Sequence, residues 1–204
     1  MNKHLLGMAM TGLLVAATAA TGQVEKAMPP HNYPVRVDVV GRVPGSPMTV
    51  KRQHGPQGRT AGAYFQEATW RKDYQEDYLT CNFPGETADW QVGAMTFIPG
   101  ATGKVTLTFR GRWDKDEFGN HVEHWAMVDG IRLDGASGEN LDFEAVDAKG
   151  KPTGWKCGPG LVVTEGAKSG KNAVRIWFQT PLSQDIAVEE GKPVTVTVWY
   201  RPAP

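Results

Sequence analysis

Two-residue alternation of apolar and polar side chains is the strongest pattern along this chain. From Tyr33 onward, Val35, Val37 and Val39 alternate with Arg36, Asp38 and Val40, the period of a half-buried strand. The period returns in Lys104–Trp113, where Val105, Leu107 and Phe109 share one face and Thr106, Thr108 and Arg110 the other, because successive strand side chains point to opposite sides. In Ala173–Gln179, Val174, Ile176 and Phe178 oppose Arg175, Trp177 and Gln179. In Val194–Arg201, Val194, Val196, Val198 and Tyr200 oppose Thr195, Thr197 and Trp199. Val92–Pro99 and His124–Leu133 predict two more strands, and Met48–Lys51 and Ala63–Gln66 two short ones.

The gaps are rich in Gly and Pro, as in Gly41–Gly62 and Pro99–Gly103, and these residues punctuate strands. Trp70–Trp90 mixes aromatic and acidic residues without a clean period and reads as a loop with one helical turn around Lys72–Asp77. Asp114–His121 reads as a polar loop, and LSQDIAVEEGKP (Leu182–Pro193) as the link between the last two strands. No amphipathic helix of useful length emerges. Short, regularly spaced strands predict an all-β fold: a β-sandwich jelly roll of two antiparallel sheets with little helix. Thr102–Trp113 and Glu190–Pro202 echo one another, each with a Gly-Lys turn, Val and Thr alternation and an aromatic and Arg ending. They read as equivalent strands in two halves of one sandwich.

Composition changes this picture at the N-terminus. Met1 to about Gly22 has a basic start (Lys3, His4), an apolar centre (Leu5–Ala17) and small residues Ala17–Ala20, the layout of a cleavable secretory signal. Its apolar centre is too short and Ala-rich for a lasting membrane span. Residues 23–32 read as a flexible leader and 33–204 as a single domain; about 180 residues suffice for one full hydrophobic core. The expected location is the periplasm or the cell exterior of a bacterium. Acidic and basic residues balance, 22 against 22, and no basic stripe is present to neutralise phosphates, so nucleic acid is excluded as a partner. Cys81 and Cys157 lie far apart in a chain bound for an oxidising compartment, where a long-loop disulfide would constrain the unfolded state by roughly 4 kcal/mol. Two separate buried thiols are the other reading.

The order NLDFEAVDAKGKPTGW (Asn140–Trp155), then SGKNAVRIW, then SQDI, then GKPVTVTVWYR resembles the galactose-binding-like jelly rolls of carbohydrate-binding modules. The segments matching that family's second half (Trp90–Leu133) precede those matching its first half (Glu139–Arg201), so the chain resembles a permuted member. Nearby termini make such permutation tolerable. The resemblance implies a glycan or polysaccharide partner and a structural calcium, with Glu144 and Asp129 as the matching ligands and Asp142 and Asn140 as further oxygen donors. Calcium takes six to eight oxygens, several of them from backbone; the same acids could equally face solvent or cap turns.

A sugar site needs an aromatic face for the C–H side of a pyranose and polar groups for its hydroxyls. If the non-core faces line one concave sheet, Trp177 is the platform, with Arg175, Gln179, Arg110 and Trp199 around it. Loop aromatics Trp70, Trp113 and Trp155 are alternatives, and Trp155 reads as scaffold. HVEH (His121–His124) lacks the helical HExxH spacing, and on a strand its ligands diverge, so it reads as a surface or turn His pair. Glu117, Glu123, Asp114 and Asp116 are available for acid-base hydrolysis, but no nucleophile elbow or phosphate loop is present. The leading expectation is a non-catalytic, carbohydrate-binding-like module. A cell-surface protein-interaction or structural module and a small glycan-active lyase or hydrolase are the alternatives.

Overall fold

The computed structural model describes residues 34–41, 49–51, 64–71, 76–83, 85, 88–159 and 161–204. The expected signal (1–22) and leader (23–32) lie outside them. Among the described residues the strands are β1 (Val35–Gly41), β2 (Thr49–Lys51), β3 (Tyr64–Arg71), β4 (Glu76–Phe83), β5 (Gln91–Ile98), β6 (Gly103–Gly111), β7 (Ala126–Asp134), β8 (Val162–Val163), β9 (Ala173–Ile176), β10 (Leu182–Val188) and β11 (Val194–Pro202), with no helix.

These strands form two antiparallel sheets, of order β10-β6-β1-β4-β3 and β2-β5-β11-β7-β9-β8. The chain passes from β5 to β6 to β7, and from β9 to β10 to β11, by changing sheet each time, as a jelly roll does. The all-β β-sandwich expected from the alternation is the observed architecture. The central strands follow their period: Val35, Val37 and Val39 of β1, Leu107 and Phe109 of β6, and Val194, Val196 and Val198 of β11 are all 0% exposed. They meet in one core between the sheets, where full burial of each such side chain stabilises by about 1.5–3 kcal/mol. The echoing segments become β6 and β11, one in each sheet.

Three segments differ from expectation. Trp70–Trp90 contains β4, an inner strand paired along its length with β1 from Val35↔Phe83 to Gly41↔Asp77. Its core-facing set of Leu79, Cys81 and Phe83 is buried, so the two-residue period was present but short and diluted by the acidic stretch before it. The Leu182–Val188 half of the expected link is β10, with Leu182, Ile186 and Val188 inward and a full antiparallel register against β6. Conversely, the strand expected over Ala173–Gln179 stops at Ile176. Cys81 and Cys157 are both free thiols, and burial pushes the Cys81 thiol up to about 12.

The Asn140–Trp155 stretch closes one side of the core. Phe143 is fully buried despite a φ of +61°, and its ring lies 5.5 Å from that of Trp155, which in turn is 6.0 Å from Phe109. The Trp155 indole donates to the Asn140 carbonyl at 3.0 Å. Buried Gln184 ties the ends together: its Oε1 accepts from Glu139 N at 2.9 Å, and its Nε2 donates to Glu139 O at 2.8 Å and Gly154 O at 3.1 Å. The PxGW segment is therefore scaffold, as expected.

Candidate functional site

The segment Arg112–Trp125 joins β6 to β7 as a projecting hairpin. Its tip is fixed locally: Asp116 Oδ1 accepts from Phe118 N at 2.9 Å and from Asn120 N at 2.8 Å, and Gly119 supplies the left-handed corner at φ +83°. Asn120, the largest cause, and the neighbouring N–H groups hold the Asp116 carboxyl below its ordinary range. Lys115 and His121 pair across the ladder, and cross-strand partners project to the same side.

That side carries exposed aromatics. Trp113 is 47% exposed and Phe118, at the tip, 80%. After β9 the chain turns, with Thr180 N donating to Trp177 O at 3.2 Å, and this turn brings Phe178 against the hairpin. Phe178 stacks on His121 at 5.7 Å and meets Trp113 edge-on at 6.5 Å. Lys115 Nζ lies 6.0 Å from the Trp113 ring and the Arg110 guanidinium 5.9 Å from the Phe178 ring. Arg110 is itself aimed by Asp38, its Nε 3.2 Å from Oδ2; Arg36 and Thr80 bind the other carboxylate oxygen at 2.6 and 2.9 Å.

The residues expected to hold sugar do not gather on one face. Trp177 is only 8% exposed, 6.0 Å from Trp125 and pressed against Gly111, where an added Cβ would come within 2.5 Å of Trp177 Cα. Its ring is packing, not a stacking platform. Arg175 covers Trp125 at 4.7 Å, and Gln179 is exposed on the turn. Trp199 is half-buried, with Lys168 Nζ 4.6 Å from its ring. Arg110 belongs to the five-stranded sheet, and Arg175 and Trp199 to the six-stranded one, so their non-core faces point away from each other. Phe178 and His121 were not expected at the site. Parity assigned Phe178 to the core, but parity holds only while the strand continues.

The four residues expected to hold calcium are engaged in local hydrogen bonds. Asp129, fully buried, accepts from Gly130 N on Oδ1 and from Lys168 N and Ser169 N on Oδ2, at 2.6, 2.8 and 2.9 Å. Burial is the main influence on this carboxyl and pushes it up against the opposing N–H bonds. Glu144 Oε1 accepts from Lys171 N at 2.8 Å and Asn172 N at 2.9 Å. Asp142 caps Glu144 N at 3.4 Å. Asn140, at φ +47°, accepts from Ala145 N and donates to Ala145 O and Thr153 O. Backbone N–H groups thus occupy both Asp129 oxygens and Glu144 Oε1, and among the described residues no three His, Cys, Asp or Glu side chains converge as a metal site.

On the hairpin's other side, His124 Nε2 lies 2.9 Å from Asp114 Oδ2, and Arg112 pairs with the same oxygen. The His124 hydrogen bond, ahead of Lys115 N and Arg112, holds the Asp114 carboxyl below its usual range. The two histidines of HVEH thus diverge, although residues 122–125 form no strand and Glu123 lies with His124 rather than with His121.

Fold and site together define the class, a two-sheet antiparallel β-sandwich bearing an exposed aromatic hairpin. No protein family model matches the chain, and neither a curated protein nor a solved structure does. Among the described residues no helix is long and apolar enough to cross a membrane.

Proposed function

We propose that the chain is an exported, non-catalytic glycan-binding β-sandwich of the galactose-binding-like type, and that it binds through the rim formed by Trp113, His121 and Phe178. The observation that carries this reading is the exposed Trp113 indole, held edge-on to Phe178, with Lys115 beside the first ring and Arg110 beside the second. An indole fixed by neighbouring rings offers a rigid apolar face for sugar C–H groups at little entropic cost, and Lys115 and His121 supply hydrogen-bonding groups at its border. A protein ligand is the second reading, favoured by Phe118 at the hairpin tip.

The test is a glycan array followed by affinity electrophoresis against the polysaccharides that score. Trp113→Ala and Phe178→Ala should each weaken binding roughly tenfold, since a stacking contact of about 1–1.5 kcal/mol corresponds to about that factor. Undiminished binding by folded Trp113→Ala protein would refute the rim. Loss of binding in Phe118→Ser alone, with a protein but no glycan captured, would favour the second reading.

A further inference from the structure

The side of the hairpin away from the aromatic rim borders a separate concavity. A crevice of about 340 Å³ is lined by Pro34, Arg112, Glu123, His124 and Trp125 and closed by residues 202–204. That size is at the low end of the ~300–1,000 Å³ typical of small-ligand pockets, enough for one ring rather than a chain. Trp125 and the prolines form its apolar surface. Trp125 is held on several sides: Arg175 lies 4.7 Å from its ring, Trp177 packs at 6.0 Å, its indole donates to Glu123 Oε2 at 2.9 Å, and its carbonyl accepts from Ala203 N at 2.9 Å.

The polar lining keeps capacity to spare. Among the described residues, Arg112 and His124 each spend one side-chain contact on Asp114, and Glu123 spends one oxygen on Trp125. Glu123 Oε1, His124 Nδ1 and the remaining Arg112 N–H groups are left as acceptors and donors. Charge narrows the ligand. An anion would meet the Glu123 carboxylate, and a cation would meet Arg112, so neither sign is favoured across the whole lining. A neutral ring bearing several hydroxyls, each able to donate and accept, suits a fixed indole and prolines beside mixed donors and acceptors.

We propose that this crevice is a second ligand subsite, taking a single neutral sugar residue, so that one hairpin presents an open rim on one side and a one-ring pocket on the other. The choice of a sugar rests on the glycan reading of the rim; the pocket's geometry does not. The experiment is a titration of protein labelled with 15N at the tryptophan indoles, using methyl glycosides of glucose, galactose and mannose, with glucuronate and glucosamine as charged counterparts. Trp125→Phe and Trp113→Phe spectra assign the two reporting signals.

A neutral glycoside should move the Trp125 signal saturably, and Glu123→Ala and His124→Phe should each weaken that response at least tenfold while the other indole signals hold their positions. If no neutral glycoside moves Trp125, or if glucuronate or glucosamine binds there more tightly, the subsite is overturned. The two sites fail separately. A Trp125 response with a silent Trp113 and no polysaccharide binding would remove the rim and leave the crevice, and the reverse pattern would remove the crevice.

Discussion

Replacing Gln184 by methionine would remove three hydrogen bonds without opening a cavity, because the two side chains are similar in length and shape. The bonds run to Glu139 N, Glu139 O and Gly154 O, the two ends of the stretch that carries Phe143 and Trp155 into the core. Each backbone group left without its partner costs about 1–3 kcal/mol. Glu139 and Gly154 are exposed residues, so water reaches part of this region, which argues for the low end, ~3 kcal/mol in all. The thioether's better transfer into the core offsets up to ~1 kcal/mol of that. A net loss of about 2–3 kcal/mol, at ~2–4 °C per kcal/mol for a domain of this size, lowers Tm by about 4–12 °C. Gln184→Glu should be worse at pH 7, since a carboxylate would then face two carbonyls. Its folded pKa would be raised above the ordinary Glu value of about 4.3, so the charge part of its penalty should be absent below that value and grow as pH rises to the folded pKa, while the loss of one donor remains at every pH. Melting curves from pH 4 to pH 8 read both effects. A Gln184→Met Tm within about 1 °C of the parent, or a pH-independent Gln184→Glu penalty, would show that the stretch is held by something other than this side chain.

Trp177→Ala should destabilise by about 3–5 kcal/mol, the cost of emptying a buried aromatic site, whereas Trp113→Ala should stay within about 0.5 kcal/mol; denaturant unfolding separates them. Thiol titration of the denatured, unreduced protein should find both cysteines reactive. In the native protein the half-buried Cys157 should react well before Cys81, whose thiol is buried and pushed up to about 12. The N–H groups of Asn172 and Lys171 hold the Glu144 carboxyl below its ordinary range, so its contribution is present above the ordinary value and is lost as pH falls through the lower folded pKa. Glu144→Gln should therefore make the acid limb of the stability profile shallower, as read by melts between pH 2 and pH 6. Calcium addition or chelation should leave Tm unchanged, since the carboxylates of Asp129 and Glu144 are engaged by backbone donors; a calcium-dependent rise would restore the metal reading.

The sandwich was legible because its central strands alternate. Val35, Val37 and Val39 of β1, Val105, Leu107 and Phe109 of β6, and Val194, Val196 and Val198 of β11 go inward as the period demands. β4 and β10 were harder to read. Each contributes only a few inward apolar residues, and β10 places a polar Gln184 among them, which resembles a link until its hydrogen bonds to the neighbouring stretch are seen. The site was less legible than the fold. Parity along Ala173–Gln179 put Trp177 outward and Phe178 inward. The strand ends at Ile176, and the turn at Trp177–Thr180 reverses the roles of the two rings. A two-residue period carries information only inside a ladder, and functional side chains concentrate where ladders end.

That same rule explains why the hairpin Arg112–Trp125 is the place to look for function. Its base is continuous with β6 and β7, inner strands of opposite sheets, so its position is set by the core rather than by loop flexibility. Its tip is held by side-chain caps and by the Lys115↔His121 pair, so its aromatic residues are pre-positioned without being buried. Alternation within this short ladder then sends Trp113, Lys115 and His121 to one side and Arg112 and Asp114 to the other. A ligand bound on either side would meet groups whose ordering cost was met during folding, which favours affinity over adaptability. Half-buried Trp125 and buried Trp177, packed on one another between hairpin and sheet, serve both surfaces by fixing the backbone from which they project.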